Sequence, residues 1–310
     1  MNIKHNQWKL AGALAFAVGS VTFAVPEARS QSETIAIDGS STVYPITEAV
    51  AEEFQISGGD ARVTVGISGT GGGFERFCNG ETDISNASRP IDEEEIAACE
   101  AAGIEYIEIP VAFDAITVVV NPENSWAEAM TVTELQTLWA PDSSISTWSD
   151  IRSDWPNEEI TLYGPGTDSG TFDYFTEEIV GEEGASRSDF TASEDDNVLV
   201  LGVARDTYAL GYFGYAYYEN NQDQLKAVAI DDGNGSPVLP SAETVNDGTY
   251  TPLSRPIFIY VKASALEEKP AVRDFVQFYL ENAPELVPTV GYVALPSDQY
   301  QEGMSKISSR

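Results

Sequence analysis

Three stretches place hydroxyls and glycines directly ahead of an expected helix: Asp38-Gly-Ser-Ser-Thr-Val-Tyr-Pro45, Ser68-Gly-Thr-Gly-Gly-Gly-Phe74 and Gly166-Thr-Asp-Ser-Gly-Thr-Phe172. A helix start leaves about four backbone N–H groups unpaired and carries the positive end of the helix dipole. Glycine lets the backbone come close, and serine or threonine adds a neutral donor. The chemistry this suits is the holding of a tetrahedral oxyanion without a strong positive field. Arg89, in Ala87-Ser-Arg-Pro90, adds a guanidinium whose planar fork can donate two hydrogen bonds to one anion. Alone, each loop reads as a routine helix cap. Together, with Ser40, Ser41, Thr42, Thr70, Gly71, Ser88, Arg89, Ser169, Gly170 and Thr171 as donors, they read as an anion cage. Asp114 and Asp168 are the candidates to pair with Arg89, expected as the sole guanidinium on the ion, or to accept a proton from it.

Composition limits the alternatives. The one histidine, His5, lies in the first residues, where Lys4 and Lys9 precede an apolar run from Leu10 to Val25 ending in small residues. That pattern predicts a secretory leader over residues 1–28, and hence an exported, periplasmic, soluble product. The mature chain then has no imidazole, which excludes Ser-His-Asp and His-metal hydrolases and leaves no metal or cofactor to expect. Removing Lys4, Lys9 and Glu27 leaves 14 basic against 49 acidic residues, a net charge of −35. Such a surface repels nucleic acid and anionic lipid, so an anion site must be local and enclosed. Cys78 and Cys99, in an exported chain, read as a structural disulfide, the alternative being two buried thiols.

The elements that must position these residues alternate between strand and helix. Strands are expected at 34–38, 62–67, 83–86, 160–163 and 210–216, with helices starting near Pro45 and ending at Phe77, and at 92–103, 133–139, 172–180, 198–208 and 270–281. Tyr106 to Val120 is too long for an ordinary strand, and Arg255 to Lys262 is a second long apolar run. Both suit crossings between two lobes. The pattern is α/β with mostly parallel sheets, whose ligands sit beyond the carboxyl ends of the strands. The aromatic group Tyr212, Phe213, Tyr215, Tyr217 and Tyr218 alternates as a packed strand would.

Across the mature chain these pieces resemble the periplasmic phosphate-binding proteins of ABC importers. The resemblance rests on Gly39-Ser-Ser-Thr-Val-Tyr-Pro45, Gly69-Thr-Gly-Gly-Gly73, Asp83-Ile-Ser-Asn-Ala-Ser-Arg-Pro90, Asp114-Ala-Ile-Thr-Val-Val-Val-Asn121 and Thr167-Asp-Ser-Gly-Thr171, in that order. It implies a two-lobed type II binding-protein fold, with one lobe from 32–112 and 260–310, the other from 113–259, and two extended hinges. It also implies a monomer that closes around inorganic phosphate and delivers it to an inner-membrane ABC permease. Arg89 stands where familiar members carry an aspartate, and Gly164-Pro-Gly166 where they carry an arginine. The alternatives are the same fold holding sulfate or molybdate, or an extracellular phosphatase.

The charge has a measurable consequence. Screening by salt weakens repulsion within so acidic a chain. The melting temperature is therefore expected to rise from low to molar potassium chloride, and an unchanged midpoint would show the acids too dispersed to matter.

Overall fold

The computed structural model describes residues 33–309, so the leader expected at residues 1–28 lies outside the described residues. Strands β1 (Thr34–Gly39), β2 (Arg62–Val65) and β3 (Ile84–Ala87) alternate with helices α1 (Tyr44–Ile56), α2 (Gly69–Cys78) and α3 (Glu93–Ala102). The 15-residue strand β4 (Tyr106–Val120) follows. Next come β5 (Ala129–Thr131), α4 (Val132–Trp139), α5 (Trp148–Ile151), β6 (Thr161–Pro165), α6 (Gly170–Phe175) and a π-helical turn at Thr176–Val180. Beyond them lie β7 (Thr191–Ser193), β8 (Ala209–Gly214), β9 (Lys226–Ala227), β10 (Ala229–Asp231) and β11 (Ser254–Lys262).

The strands of the large sheet lie in the order β2-β1-β3-β11-β4-β8-β6-β7, with β9 also on β4. Pairing is parallel on each flank, β1 with β2 and β3, and β6 with β7 and β8. At the centre it is antiparallel, because β4 carries the chain out of the first half and β11 brings it back alongside. The expectation of mostly parallel sheets therefore holds for the flanks and fails for the crossing strands. β4 belongs to both halves: Tyr106 to Ala115 pair with β11, and Ile116 to Val120 pair with β8.

Two buried cores flank these crossings. The first gathers Ile35, Ile46, Phe54, Ile109, Phe275 and Leu280, and the second Ile116, Leu135, Trp139, Trp148, Phe175 and Tyr212. Burying one such side chain contributes about 1.5–3 kcal/mol. On β11, Ile257 and Ile259 pack in the first core.

Two elements differ from expectation. β8 stops at Gly214, and Tyr215–Glu219 is helical, so Tyr215, Tyr217 and Tyr218 leave the strand alternation. The helix starting at Pro270 runs to Thr289 through Pro284 and Pro288. An internal proline removes a helix hydrogen bond, but Ala283 and Val287 are seated in the first core, and that packing carries the helix on.

The Cys78–Cys99 disulfide joins the end of α2 to α3 across 21 residues. Constraining a loop of that size in the unfolded chain stabilises the fold by about 3 kcal/mol. Thiol labelling of the denatured, unreduced protein should find no free cysteine. The double variant Cys78→Ala/Cys99→Ala should lose roughly that stability in urea titration; two labelled thiols in the parent would remove the claim.

Candidate functional site

The loops that leave β1, β2 and β3 all sit at the carboxyl ends of mutually parallel strands. Gly39 ends β1 with φ +139°, and a Cβ there would lie 2.1 Å from the Asn86 carbonyl oxygen, so only glycine lets β1 close against β3. Gly73 in α2 is as constrained, since a Cβ would lie 2.5 Å from the Gly39 Cα. Buried Asp38 ties the first two loops together. It accepts the Gly39 N–H at 2.7 Å and the Ser68 hydroxyl at 2.7 Å, and it pairs with Arg76.

These loops form one wall of a cleft of about 290 Å³. Ser40, Ser41, Thr42, Thr70, Gly71, Ser88 and Arg89 line it, facing Asp173, Glu177, Glu183 and Arg255. Some hydroxyls are already engaged. Ser40 Oγ accepts the Thr42 N–H at 3.1 Å, and Thr70 Oγ1 accepts the Ser88 N–H at 3.2 Å and lies 3.0 Å from Ser88 Oγ. Thr70 thus braces the glycine-rich loop against the Arg89 loop.

The third loop stands next to this cleft rather than in it. Ser169, Gly170 and Thr171 line an adjoining cavity of about 310 Å³ together with Asp114 and Asp168, and Ser41 lines both spaces. Ser169 caps α6 by accepting the Thr171 N–H at 3.2 Å. Gly170 lies against Thr42, whose Oγ1 would be 2.8 Å from a Cβ there, so the two loops meet where the cavities join. The expected set of donors is therefore divided between two adjoining spaces.

The charges differ from expectation as well. Arg89 does not pair with Asp114 or Asp168. It forms a two-bond fork with Glu95, Nη1 and Nη2 each donating at 2.8 Å, and lies 3.6 Å from Asp92. Glu95 also accepts the Asp92 N–H and closes the capping box of α3, so the start of that helix fixes the guanidinium. The acids of Asp92-Glu-Glu-Glu95 were legible as a helix start; their hold on Arg89 was not. Asp168 is exposed, and its N–H donates to Glu194 at 3.4 Å.

Asp114 instead partners Arg255, and the two face each other in register across β4 and β11. Arg255 Nε lies 3.5 Å from Asp114 Oδ2, and neither atom makes a hydrogen bond. The Arg255 guanidinium also stacks over Tyr174, 3.7 Å from the ring centre, and its Nη1 donates to Glu177 at 3.4 Å. A second guanidinium thus shares the cleft with Arg89, against the expectation of one. One signal was present in the chain: Ser-Arg-Pro-Ile occurs at both 88–91 and 254–257.

Burial pushes the Asp114 carboxyl up to about 6 from 3.8, and the charge of Arg255 offsets only part of that. The folded chain therefore holds this proton more tightly than the unfolded chain. Its stabilising effect is complete below about pH 4 and is lost as pH rises through about 6, about 3 kcal/mol in all. Urea denaturation of parent and Asp114→Asn at pH 4 and pH 7 should show the difference moving against the parent by up to that amount. A difference independent of pH would contradict it.

The PBP superfamily domain matches residues 24–283. Protein SphX of Synechocystis is 54% identical over 276 residues, 88% of this chain and 81% of its own. The phosphate-binding protein PstS of Staphylococcus saprophyticus is 41% identical over 270 residues, covering 87% and 83%. Among solved structures, a possible phosphate binding protein from Planctomyces limnophilus superposes with a TM-score of 0.85 at 49% identity, covering 90% of this chain and 99% of that one. The mixed sheet with its two crossing strands is the two-lobed fold of these proteins, and the chain belongs to the PstS-like phosphate-binding family of the PBP superfamily.

Proposed function

We propose that this chain captures inorganic phosphate outside the cytoplasm, as a monomer, and passes it to an inner-membrane ABC permease without chemical change. The observation that carries the reading is the meeting of Arg89 and Arg255 in one cleft with the hydroxyl loops at Ser40–Thr42, Thr70 and Ser88. Two guanidiniums and several neutral donors match a doubly charged tetrahedral oxyanion. Relatives named for phosphate binding support that choice of anion. Among the described residues no helix is long and apolar enough to cross a membrane, in keeping with an exported carrier.

In this reading the ion sits at the junction shared by Ser41, where Gly170 meets Thr42, so that Ser169, Gly170 and Thr171 donate from the second lobe. The lobes divide near Phe113 on β4 and ahead of Ile257 on β11, and they close by bending those strands. In the same reading Asp173, rather than Asp114 or Asp168, accepts the hydrogen bond from the ion's proton. It lines the cleft, and burial, with Glu183 close by, holds its carboxyl above the usual range. A carboxylate there would accept a hydrogen bond from protonated phosphate and repel sulfate, which has no proton to give. Sulfate or molybdate remains the competing ligand class.

Calorimetric titration with phosphate, arsenate and sulfate tests this. Arg89→Ala and Arg255→Ala should each weaken phosphate binding, as should Ser41→Ala and Thr171→Ala, by about 1.5–3 kcal/mol or one to two decades. Asp173→Asn should narrow the gap between phosphate and sulfate. Tighter binding of sulfate than phosphate by the parent would overturn the reading.

A further inference from the structure

The cleft that binds an anion already contains one. Glu177, on the π-helical turn of the second lobe, lines it together with Arg89 and Arg255. Its Oε2 lies 3.4 Å from Arg255 Nη1. Its charge also reaches Arg89 on the first lobe, whose guanidinium is held in its charged form mainly by Glu95 and in smaller part by Asp92 and Glu177. Among the described residues, neither Asp173 nor Glu183 forms an ion pair, although both line the same cleft.

The other three carboxylates on these arginines are fixed supports: Asp92 is exposed but lies outside the cleft lining and is held in the cap of α3, where it accepts the Glu95 N–H. Glu95 is 14% exposed and locked into the cap of α3, and Asp114 is 4% exposed beneath Arg255. Glu177 is 52% exposed and reaches the site through one long contact. It is the acid of the set that can leave.

We propose that Glu177 is a displaceable internal counter-anion, standing between the guanidiniums of the two lobes when the cleft is empty and setting the charge a ligand must bring to replace it. This rests on the phosphate reading above. A singly charged anion would exchange one unit of negative charge for another and lose its freedom of motion as well. A tethered carboxylate competes at an effective concentration of roughly millimolar or more. A doubly charged oxyanion brings twice the charge and several acceptor atoms, so it displaces Glu177 where chloride does not. Glu177 is then a specificity-determining residue, acting against abundant monovalent anions rather than against sulfate.

The test is calorimetry of phosphate binding to parent, Glu177→Gln and Glu177→Asp at fixed ionic strength, with chloride replacing gluconate stepwise. Thermal melts confirm that each variant is folded. The parent and Glu177→Asp should bind phosphate with an affinity that chloride does not change. In gluconate Glu177→Gln should bind about tenfold tighter, and chloride should remove most of that gain. A Glu177→Gln affinity equal to the parent's and insensitive to chloride overturns the proposal, as does weaker binding in gluconate, which would make Glu177 a support for Arg255. A parent that binds no phosphate overturns the reading on which the proposal rests, an outcome distinct from the other two.

Discussion

A buried acid facing a guanidinium across the two crossing strands is the constraint around which the rest of the site is arranged. Asp114 and Arg255 are paired in register on β4 and β11, the strands that join the halves. Neither charge is easily kept out of water alone: burial already raises the Asp114 carboxyl to about 6, with Arg255 beside it. Each makes the other tolerable. The Tyr174 ring beneath Arg255 adds a cation–π contact from the second half, with its hydroxyl bound to the Pro252 carbonyl at 2.7 Å. A positive charge is thereby set in the lining of the cleft by the strands that join the two halves.

Arg89 is held by a different device to the same end. Its fork with Glu95 depends on the start of α3, and α3 is joined to α2 by the disulfide. The glycine-rich loop that begins α2 is in turn braced to Ser88 through Thr70 and anchored to β1 through Asp38 and Ser68. Loops that read as separate motifs are one bonded assembly, so the position of a guanidinium is set by contacts far from it in the chain.

A chain of net charge −34 that binds an anion must do so against its own long-range field. Both cleft arginines are matched by carboxylates, and Asp173, Glu177 and Glu183 line the same space. The cleft is thus no broad positive patch. Binding strength has to come from short-range donors of fixed geometry, which salt screens little, and this suits selection by shape and proton count over attraction at a distance.

The glycine and hydroxyl loops ahead of helices and the fold class were legible in the chain because they depend on local rules: glycines where the backbone must approach, hydroxyls at helix starts, and alternation of strand and helix; the family was legible through the resemblance of its motifs. The long run Tyr106 to Val120 was legible as a crossing for the same reason, since its length exceeds what one half can use. Pairing of charges was not. Asp114 lies 25 residues from Arg89 in the chain and 141 from Arg255, yet strand register sets it opposite Arg255, while Arg89 is captured by Glu95 six residues on. Antiparallel return of β11 beside β4, and the division of the donor loops between two adjoining cavities, were likewise decided by tertiary structure. Sequence specifies which groups can hold an anion, but only packing determines which charges meet, because ion pairs form between residues that register and burial bring within a few ångströms, whatever their separation along the chain.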